Sequence, residues 1–143
     1  MPGGFGQNQD QSPCPCGEGI YGNCCGPLHR GEQRSSTAEQ LMRSRYSAFV
    51  KENVDYLMAT HLEEGISEKE RRRALRIACR QVRWTGLKIL ATERGGLNDC
   101  EGVVQFEACH SGGILRETSL FQRRSGHKEG DWLYVKPLSL EPK

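Results

Sequence analysis

The sequence has no long hydrophobic segment, little net charge and few aromatic residues. No apolar run approaches the roughly 20 residues that a membrane-spanning helix requires, and residues 1–12 lack the basic and apolar regions of a signal peptide. A formal net charge of +2 excludes a chain that is basic throughout, as many nucleic-acid-binding proteins are. We therefore expect a cytoplasmic protein that makes no contact with a membrane.

Two common catalytic signatures are also missing. The chain contains neither a Gly-x-Ser-x-Gly nucleophile elbow nor a phosphate-binding loop that ends in Gly-Lys-Ser or Gly-Lys-Thr. These absences exclude the hydrolases and nucleotide-binding proteins that carry such motifs. We accordingly expect a binding protein more than an enzyme.

Four of the seven cysteines lie in one short segment, at Cys14, Cys16, Cys24 and Cys25. So short a segment offers no core in which to bury thiols, whereas four thiolates match the tetrahedral coordination that Zn²⁺ prefers. Two disulfides would need an oxidising compartment, and adjacent cysteines bridge each other only with strain. We interpret the segment as a zinc knuckle, with two disulfides or free thiols as alternatives and His29 as a reserve ligand.

The cysteine segment resembles the SEC-C motif, a small zinc module at the C-terminal end of SecA and in many bacterial proteins. That motif has the pattern Cys-x-Cys, a glycine-bearing loop, and then Cys-Cys or Cys-His. Residues 14–25 follow the pattern with a loop one residue shorter than usual. The resemblance implies that the four cysteines bind Zn²⁺. In SecA the similar tail recruits an export chaperone, which implies a protein-binding role for the knuckle.

A long helix is predicted after the knuckle. Residues 36–39, Ser-Thr-Ala-Glu, form a capping-box pattern, and the apolar residues that follow recur at three- and four-residue steps. The pattern predicts a helix over residues 38–60 with a break near Asn53. Arg45 lies on the apolar face of this helix, where a charged group needs a partner.

A second helix is predicted over residues 68–82, behind a capping box formed by Ser67 and Glu70. One face is apolar, and the other carries a basic stripe that consists of Lys69, Arg72, Arg73, Arg76, Arg80 and Arg83. Such a stripe is either a solvated face or an anion-binding surface for RNA or the ribosome.

From Trp84 onward the hydrophobic period changes to two, which is typical of strands. Glycine-bearing turns divide this region into four predicted strands, near residues 84–92, 104–108, 115–121 and 132–135, with Pro137 ending the last. Successive strands joined by short turns indicate an antiparallel meander. Helices followed by such a sheet indicate an α+β fold.

Residues 41–49 (Leu-Met-Arg-Ser-Arg-Tyr-Ser-Ala-Phe) and 117–121 (Glu-Thr-Ser-Leu-Phe), in this order of elements, resemble the YchJ-like family. That family couples a SEC-C motif to a domain similar to nuclear transport factor 2, a cone-shaped antiparallel sheet wrapped around a long helix. The resemblance covers most of residues 13–136. We predict a disordered tail at residues 1–12, which are rich in glycine and glutamine and cannot bury enough surface to become ordered. A zinc knuckle at 13–33 and an α+β domain at 34–143 are predicted to follow.

In such a cone Arg45 would point inward, and Glu117 is its predicted partner because it shares a strand face with apolar residues. Alternatively, the cone could be the pocket of a small-molecule-binding or lyase/isomerase-like domain, as in relatives of this fold, with Glu117 as general base. Tyr46, Trp84 and Trp132 are predicted to line this pocket together with Arg45 and Glu117. An adjacent arginine would lower the pKa of Glu117, which disfavours the catalytic alternative.

These observations predict a cytoplasmic bacterial adaptor of uncharacterised role whose zinc knuckle binds another protein. RNA or the ribosome is a further candidate partner, through the basic stripe. Related cone folds often form dimers through the outer face of the sheet, so a homodimer is a further candidate assembly for this chain.

Overall fold

The structure, a computed structural model, describes residues 10–62 and 65–142. Its helices are α1 (Cys25–His29), α2 (Ala38–Val50), α3 (Val54–Ala59) and α4 (Glu68–Gln81). Its strands are β1 (Trp84–Arg94), β2 (Glu101–His110), β3 (Gly113–Arg123) and β4 (Trp132–Pro142). None of the described helices is long and apolar enough to cross a membrane. The predicted α+β class is confirmed.

The four strands form one antiparallel sheet in the order β1-β2-β3-β4, which is the predicted meander. Strands β2 and β3 pair without interruption, from Glu101 opposite Gln122 to His110 opposite Gly113. The pairings of β1 with β2 and of β3 with β4 contain register shifts, which increase the twist of a sheet. One face of the sheet packs on α2, and the largest side chains of that core are Leu41, Tyr46, Phe106, Phe121 and Trp132.

Helix α2 begins with a different cap from the predicted one. The Thr37 hydroxyl accepts a hydrogen bond from the Gln40 backbone N–H. The Gln40 side-chain oxygen in turn accepts a hydrogen bond from the Ser36 backbone N–H at 2.6 Å. Gln40, and not Glu39, therefore occupies the third helical position, where a side chain can reach back to the preceding turn.

The predicted break near Asn53 is present. Helix α2 ends at Val50, and Glu52 adopts a left-handed backbone conformation with a φ of 56°. The Asn53 side chain then accepts a hydrogen bond from the Tyr56 N–H and caps α3. Helix α3 packs beside α2, so the carbonyl end of α3 comes within reach of side chains on α2.

Helix α4 has the predicted capping box between Ser67 and Glu70. Cys79 is buried on its inner face, but the sequence pattern missed Arg71, which is buried as well. The Arg71 guanidinium donates to the Met58 carbonyl oxygen. Met58 lies in the last turn of α3, where carbonyl groups lack partners within the helix, so it provides one acceptor for the buried guanidinium.

Strand β4 does not stop at Pro137 as predicted, but continues to Pro142. Pro137 lies opposite Ser119, next to a register shift between Thr118 and Ser119. Because β4 is the edge of the sheet, the missing N–H of proline can be tolerated there.

We predict that Gly102→Ala destabilises the protein strongly. A Cβ atom at Gly102 would overlap the Gly95 backbone and approach the Ala38 Cβ to 3.3 Å. The expected loss in the free energy of unfolding is about 2 kcal/mol, as in other overpacked cores, measured by urea denaturation. Gly86→Ala is the matched control, because a Cβ atom there would lie at an ordinary 4.0 Å from the Cys109 Cβ. Equal losses in both variants would contradict this explanation.

Candidate functional site

The cysteine segment is shaped by a tight turn that the backbone stabilises. The Cys14 N–H donates to the Gly19 carbonyl, and the Gly17 N–H donates to the Cys14 carbonyl. Gly17 and Gly19 have φ values of 90° and 76°, a conformation that glycine adopts without steric cost. The turn brings the first pair of cysteines back towards the second pair.

The four cysteines predicted as ligands come together in space. Their sulfur atoms all lie within 4.8 Å of one another, at Cys14, Cys16, Cys24 and Cys25. The Cys16 and Cys24 sulfurs are 3.6 Å apart, and all four cysteines are free. A tetrahedral ion with Zn–S bonds of about 2.3 Å holds its sulfur ligands about 3.8 Å apart, whereas a disulfide bond measures about 2.05 Å. The cluster therefore has the size of a metal site.

Helix α2 covers the inner side of the cluster. The Ser47 hydroxyl is fully buried, donates to the Cys25 sulfur at 3.3 Å and lies 3.5 Å from the Cys14 sulfur. Arg43 reaches the same segment, because its Nη1 donates to the Cys16 carbonyl at 2.9 Å. A hydrogen bond to sulfur, such as that from Ser47 to Cys25, orients the ligand and stabilises negative charge on it.

The thiols of the cluster do not ionise together in the absence of a cation. Hydrogen bonds from Cys16 and Cys25 lower the pKa of Cys14. Burial, with a hydrogen bond to Cys16, raises the pKa of Cys24 to about 12. The pKa of Cys25 is raised by its hydrogen bonds to Cys14 and Cys16 and by burial. Four thiolates at neutral pH thus require a positive ion among them, so the donor set fits a divalent metal.

His29, the predicted reserve ligand, is outside the cluster and uses both ring nitrogens elsewhere. Its Nε2 lies 2.8 Å from the Ser44 carbonyl oxygen, and its Nδ1 lies 2.6 Å from the Tyr21 hydroxyl. Because a carbonyl only accepts, Nε2 carries the proton and Nδ1 accepts from Tyr21. Burial lowers the pKa of His29, which favours this neutral ring. His29 therefore joins the knuckle to α2 and does not replace a cysteine.

Residues just before the knuckle also contact it. The Tyr21 N–H donates to the Ser12 carbonyl, and the Gly22 N–H donates to the Asp10 carbonyl. Backbone contacts of the knuckle thus extend to Asp10, and the boundary at residue 13 stays a prediction. The rest of the predicted disordered tail, residues 1–9, lies outside the described residues.

A cavity of about 190 Å³ lies between α2 and the sheet. Four of the predicted pocket residues line it, namely Arg45, Tyr46, Trp84 and Glu117, and the pattern missed Met42, Phe49, Phe106, Ala108, Leu115 and Tyr134. The predicted wall Trp132 is elsewhere in the core, where its indole N–H donates to the Ser36 carbonyl. Trp132 pairs with Arg123 at the far end of β3 from Glu117, so strand register separates it from the cavity.

The predicted ion pair between Arg45 and Glu117 does not form. The Arg45 Nη1 donates to the Leu57 carbonyl at 3.0 Å and to the Thr60 hydroxyl at 2.7 Å, both at the C-terminal end of α3. Carbonyl groups there lack helical partners and form the negative end of the helix dipole. The end of α3 therefore binds the Arg45 guanidinium in place of the predicted Glu117 carboxylate. Glu117 accepts from the Tyr134 hydroxyl at 3.0 Å, and the Arg45 guanidinium lies 4.9 Å from the centre of the Tyr134 ring.

The basic stripe on α4 is partly neutralised by acidic residues. Arg72 forms ion pairs with Asp55 and Glu68, and the Arg80 Nε lies 3.7 Å from a Glu52 carboxylate oxygen. Of the other stripe residues, Lys69, Arg73 and Arg76 lie on α4 and Arg83 follows the end of this helix; all four are exposed. Binding of an anion by the stripe stays a prediction.

We predict that His29→Phe lowers stability without changing the metal content. Phenylalanine keeps the ring between Tyr21 and Tyr56 but loses both hydrogen bonds, so the free energy of unfolding should fall by about 1–3 kcal/mol in urea denaturation. Tyr21→Phe removes one of those bonds and should have a smaller effect. A lower metal content in His29→Phe, measured by elemental analysis, would instead identify His29 as a ligand.

The sequence matches a known family over residues 37–137, described as the middle NTF2-like domain of YchJ. A UPF0225 protein of Streptomyces coelicolor is 42% identical over 125 residues, which cover 86% of this chain and 92% of that protein. A UPF0225 protein of Ralstonia nicotianae is 42% identical over 132 residues, which cover 85% of this chain and 88% of the relative.

Two solved structures share the fold with 26% sequence identity. One is a crystal structure of a SEC-C motif-containing protein from Psychrobacter arcticus, with a TM-score of 0.72 and coverage of 92% of this chain and 84% of the other. The other is a solution structure of a SEC-C motif-containing protein from Rhodopseudomonas palustris, with a TM-score of 0.71 and coverage of 90% and 98%. Together with the cysteine cluster, these similarities show that the chain belongs to the YchJ-like family, in which a SEC-C motif precedes an NTF2-like domain.

Proposed function

We propose that the four clustered cysteines bind one Zn²⁺ ion and that the knuckle held by this ion docks onto another protein. The observation that carries the proposal is the approach of four sulfur atoms to within 4.8 Å of one another. Four soft sulfur donors at tetrahedral spacing favour Zn²⁺ among the common divalent ions. The ion would leave no open coordination position, so its part is structural and not catalytic.

Bound zinc would fix the form of a segment that has almost no core of its own. Cys14, Cys16 and Cys25 are buried against α2, while residues 17–20, the knuckle tip, are exposed. The tip contains Glu18 and the apolar side chain of Ile20, which is 38% exposed, and it has no lysine or arginine. Such a surface suits a protein partner better than a nucleic acid, whose phosphates require cationic contacts.

The free cysteines support a location in the cytoplasm for this docking protein. All seven cysteines are free in the structure. Thiolate ligands stay reduced in the cytoplasm, whereas an oxidising compartment would convert a cluster of this density to disulfides. A cytoplasmic adaptor is therefore the role that we propose for the chain.

The metal part of the proposal predicts one zinc ion per purified chain, measured by elemental analysis. Cys16→Ser should abolish stoichiometric zinc, and Cys109→Ser, outside the cluster, should retain it. Because binding requires deprotonated thiols, zinc should be released as the pH falls below neutral. A metal-free chain with four freely alkylated cluster thiols would contradict the proposal.

The docking part predicts that a partner captured by the zinc-loaded protein is lost with Ile20→Asp, which places a charge on the tip. Leu97→Asp is the matched control, since Leu97 is 68% exposed on the β1–β2 turn, outside the knuckle. Removal of zinc with a chelator should have the same effect as Ile20→Asp. Capture that survives both treatments, or that disappears with ribonuclease, would contradict protein docking through the knuckle.

A further inference from the structure

The cavity between α2 and the sheet contains a buried cation with unused donors. Arg45 is only 5% exposed and lines the cavity. Its Nη1 makes both of its hydrogen bonds, to Leu57 and Thr60. Its Nε and Nη2 donate to no residue in the described ranges, although guanidinium groups form five hydrogen bonds when fully satisfied. A buried guanidinium edge of this kind is suited to an acceptor supplied by a ligand.

The same cavity also offers an acceptor. The Oε2 atom of Glu117 is occupied by the Tyr134 hydroxyl at 3.0 Å and by the Ser119 hydroxyl. The Oε1 atom accepts no hydrogen bond from the part of the chain that the structure describes, and Glu117 lines the cavity. The carboxylate is thus held in place through one oxygen while the other is available to a donor.

The charges of these two residues restrict the class of ligand. One guanidinium and one carboxylate line the same small space, so their charges cancel. An anionic ligand would gain contact with Arg45 but would also be repelled by Glu117, and a cationic ligand would meet the opposite conflict. A neutral group with an acceptor and a donor side by side, as in an amide, can bond to both residues without adding charge to a largely apolar site.

The side chains that line the cavity restrict the shape of the ligand. Aromatic rings dominate the lining, from Tyr46, Phe49, Trp84, Phe106 and Tyr134. A cavity of about 150 Å³ accommodates benzene, so a volume of about 190 Å³ is suited to one ring with a small substituent. Flat rings also stack favourably on aromatic side chains.

We propose that this cavity is a binding site for a small, flat, uncharged molecule that carries an amide-like acceptor and donor, with the acceptor on Arg45 and the donor on Glu117. The site lies apart from the cysteine cluster and does not depend on knuckle docking. It extends the function of the protein from macromolecular contact to the recognition of a small metabolite-sized ligand.

The test uses the full, metal-loaded chain and three probes that each carry one benzene ring with a small substituent, namely benzamide, benzoate and toluene. The chain has two tryptophans, of which Trp84 lines the cavity and Trp132 does not. Titration with benzamide should shift the indole N–H signal of Trp84 in ¹H–¹⁵N spectra and leave that of Trp132 in place. Benzoate and toluene should bind about tenfold more weakly, since each fails to satisfy one or both charged residues. Binding of benzoate or toluene as tightly as benzamide, or no shift of Trp84, would overturn the proposal.

Variants locate the site independently. Ala108→Leu should fill the cavity and weaken benzamide binding by about tenfold or more, whereas Leu97→Ala, on the exposed β1–β2 turn, should leave it unchanged. If Ala108→Leu fails to fold, Glu117→Ala provides the second variant, which should abolish the preference for benzamide over benzoate, because the repulsion of an anion is removed while Arg45 remains. Retention of that preference would overturn the proposal. Ile20→Asp should bind benzamide normally, so failure of the docking function and failure of the cavity can be told apart.

Discussion

The packing of α2 between the cysteine cluster and the sheet is the interaction on which the rest of the structure depends. A helix turns by about 100° per residue, so neighbouring side chains on α2 face different parts of the molecule. Ser47 contacts the cluster sulfurs and Ser44 accepts from His29 through its carbonyl. Arg45 and Tyr46 line the cavity. One short helix therefore fixes the position of both candidate sites.

Within the described residues, each of the buried arginines Arg45, Arg71 and Arg123 donates to backbone carbonyl groups. Arg45 and Arg71 contact carbonyl oxygens in the last turn of α3, where the peptide dipoles leave negative charge without a partner. Arg123 donates to carbonyl oxygens of the β1–β2 turn and lies over the Trp132 ring. A carbonyl partner offsets part of the desolvation cost of a guanidinium without bringing in a second buried charge. Burial still lowers the pKa of Arg45, to about 10, so that residue remains charged at neutral pH.

Local patterns predicted well those features whose partners are close in the sequence. The capping box of α4 and the break at Asn53 involve residues at most three positions apart. The cap of α2 was predicted one residue too early, because Thr37 and Ser36 are equally good capping residues and only the observed contacts distinguish them. The end of β4 was placed too early as well. Proline excludes a central strand, but whether a strand is central or at the edge is a property of the whole sheet.

The sequence by itself determined the family, the α+β class and the spacing of the four cysteines, because each is encoded in motifs or periodicities of contiguous residues. Tertiary structure alone decided which partner each buried charge has. Arg45 and Glu117 line the same cavity, but Arg45 donates its hydrogen bonds to the C-terminal end of α3 and not to the Glu117 carboxylate. Tertiary structure also decided that His29 donates a hydrogen bond to α2, because its acceptor, the Ser44 carbonyl, is 15 residues away in the sequence. Hydrogen-bond partners in a core depend on distances between elements, and no periodicity within a single element specifies those distances.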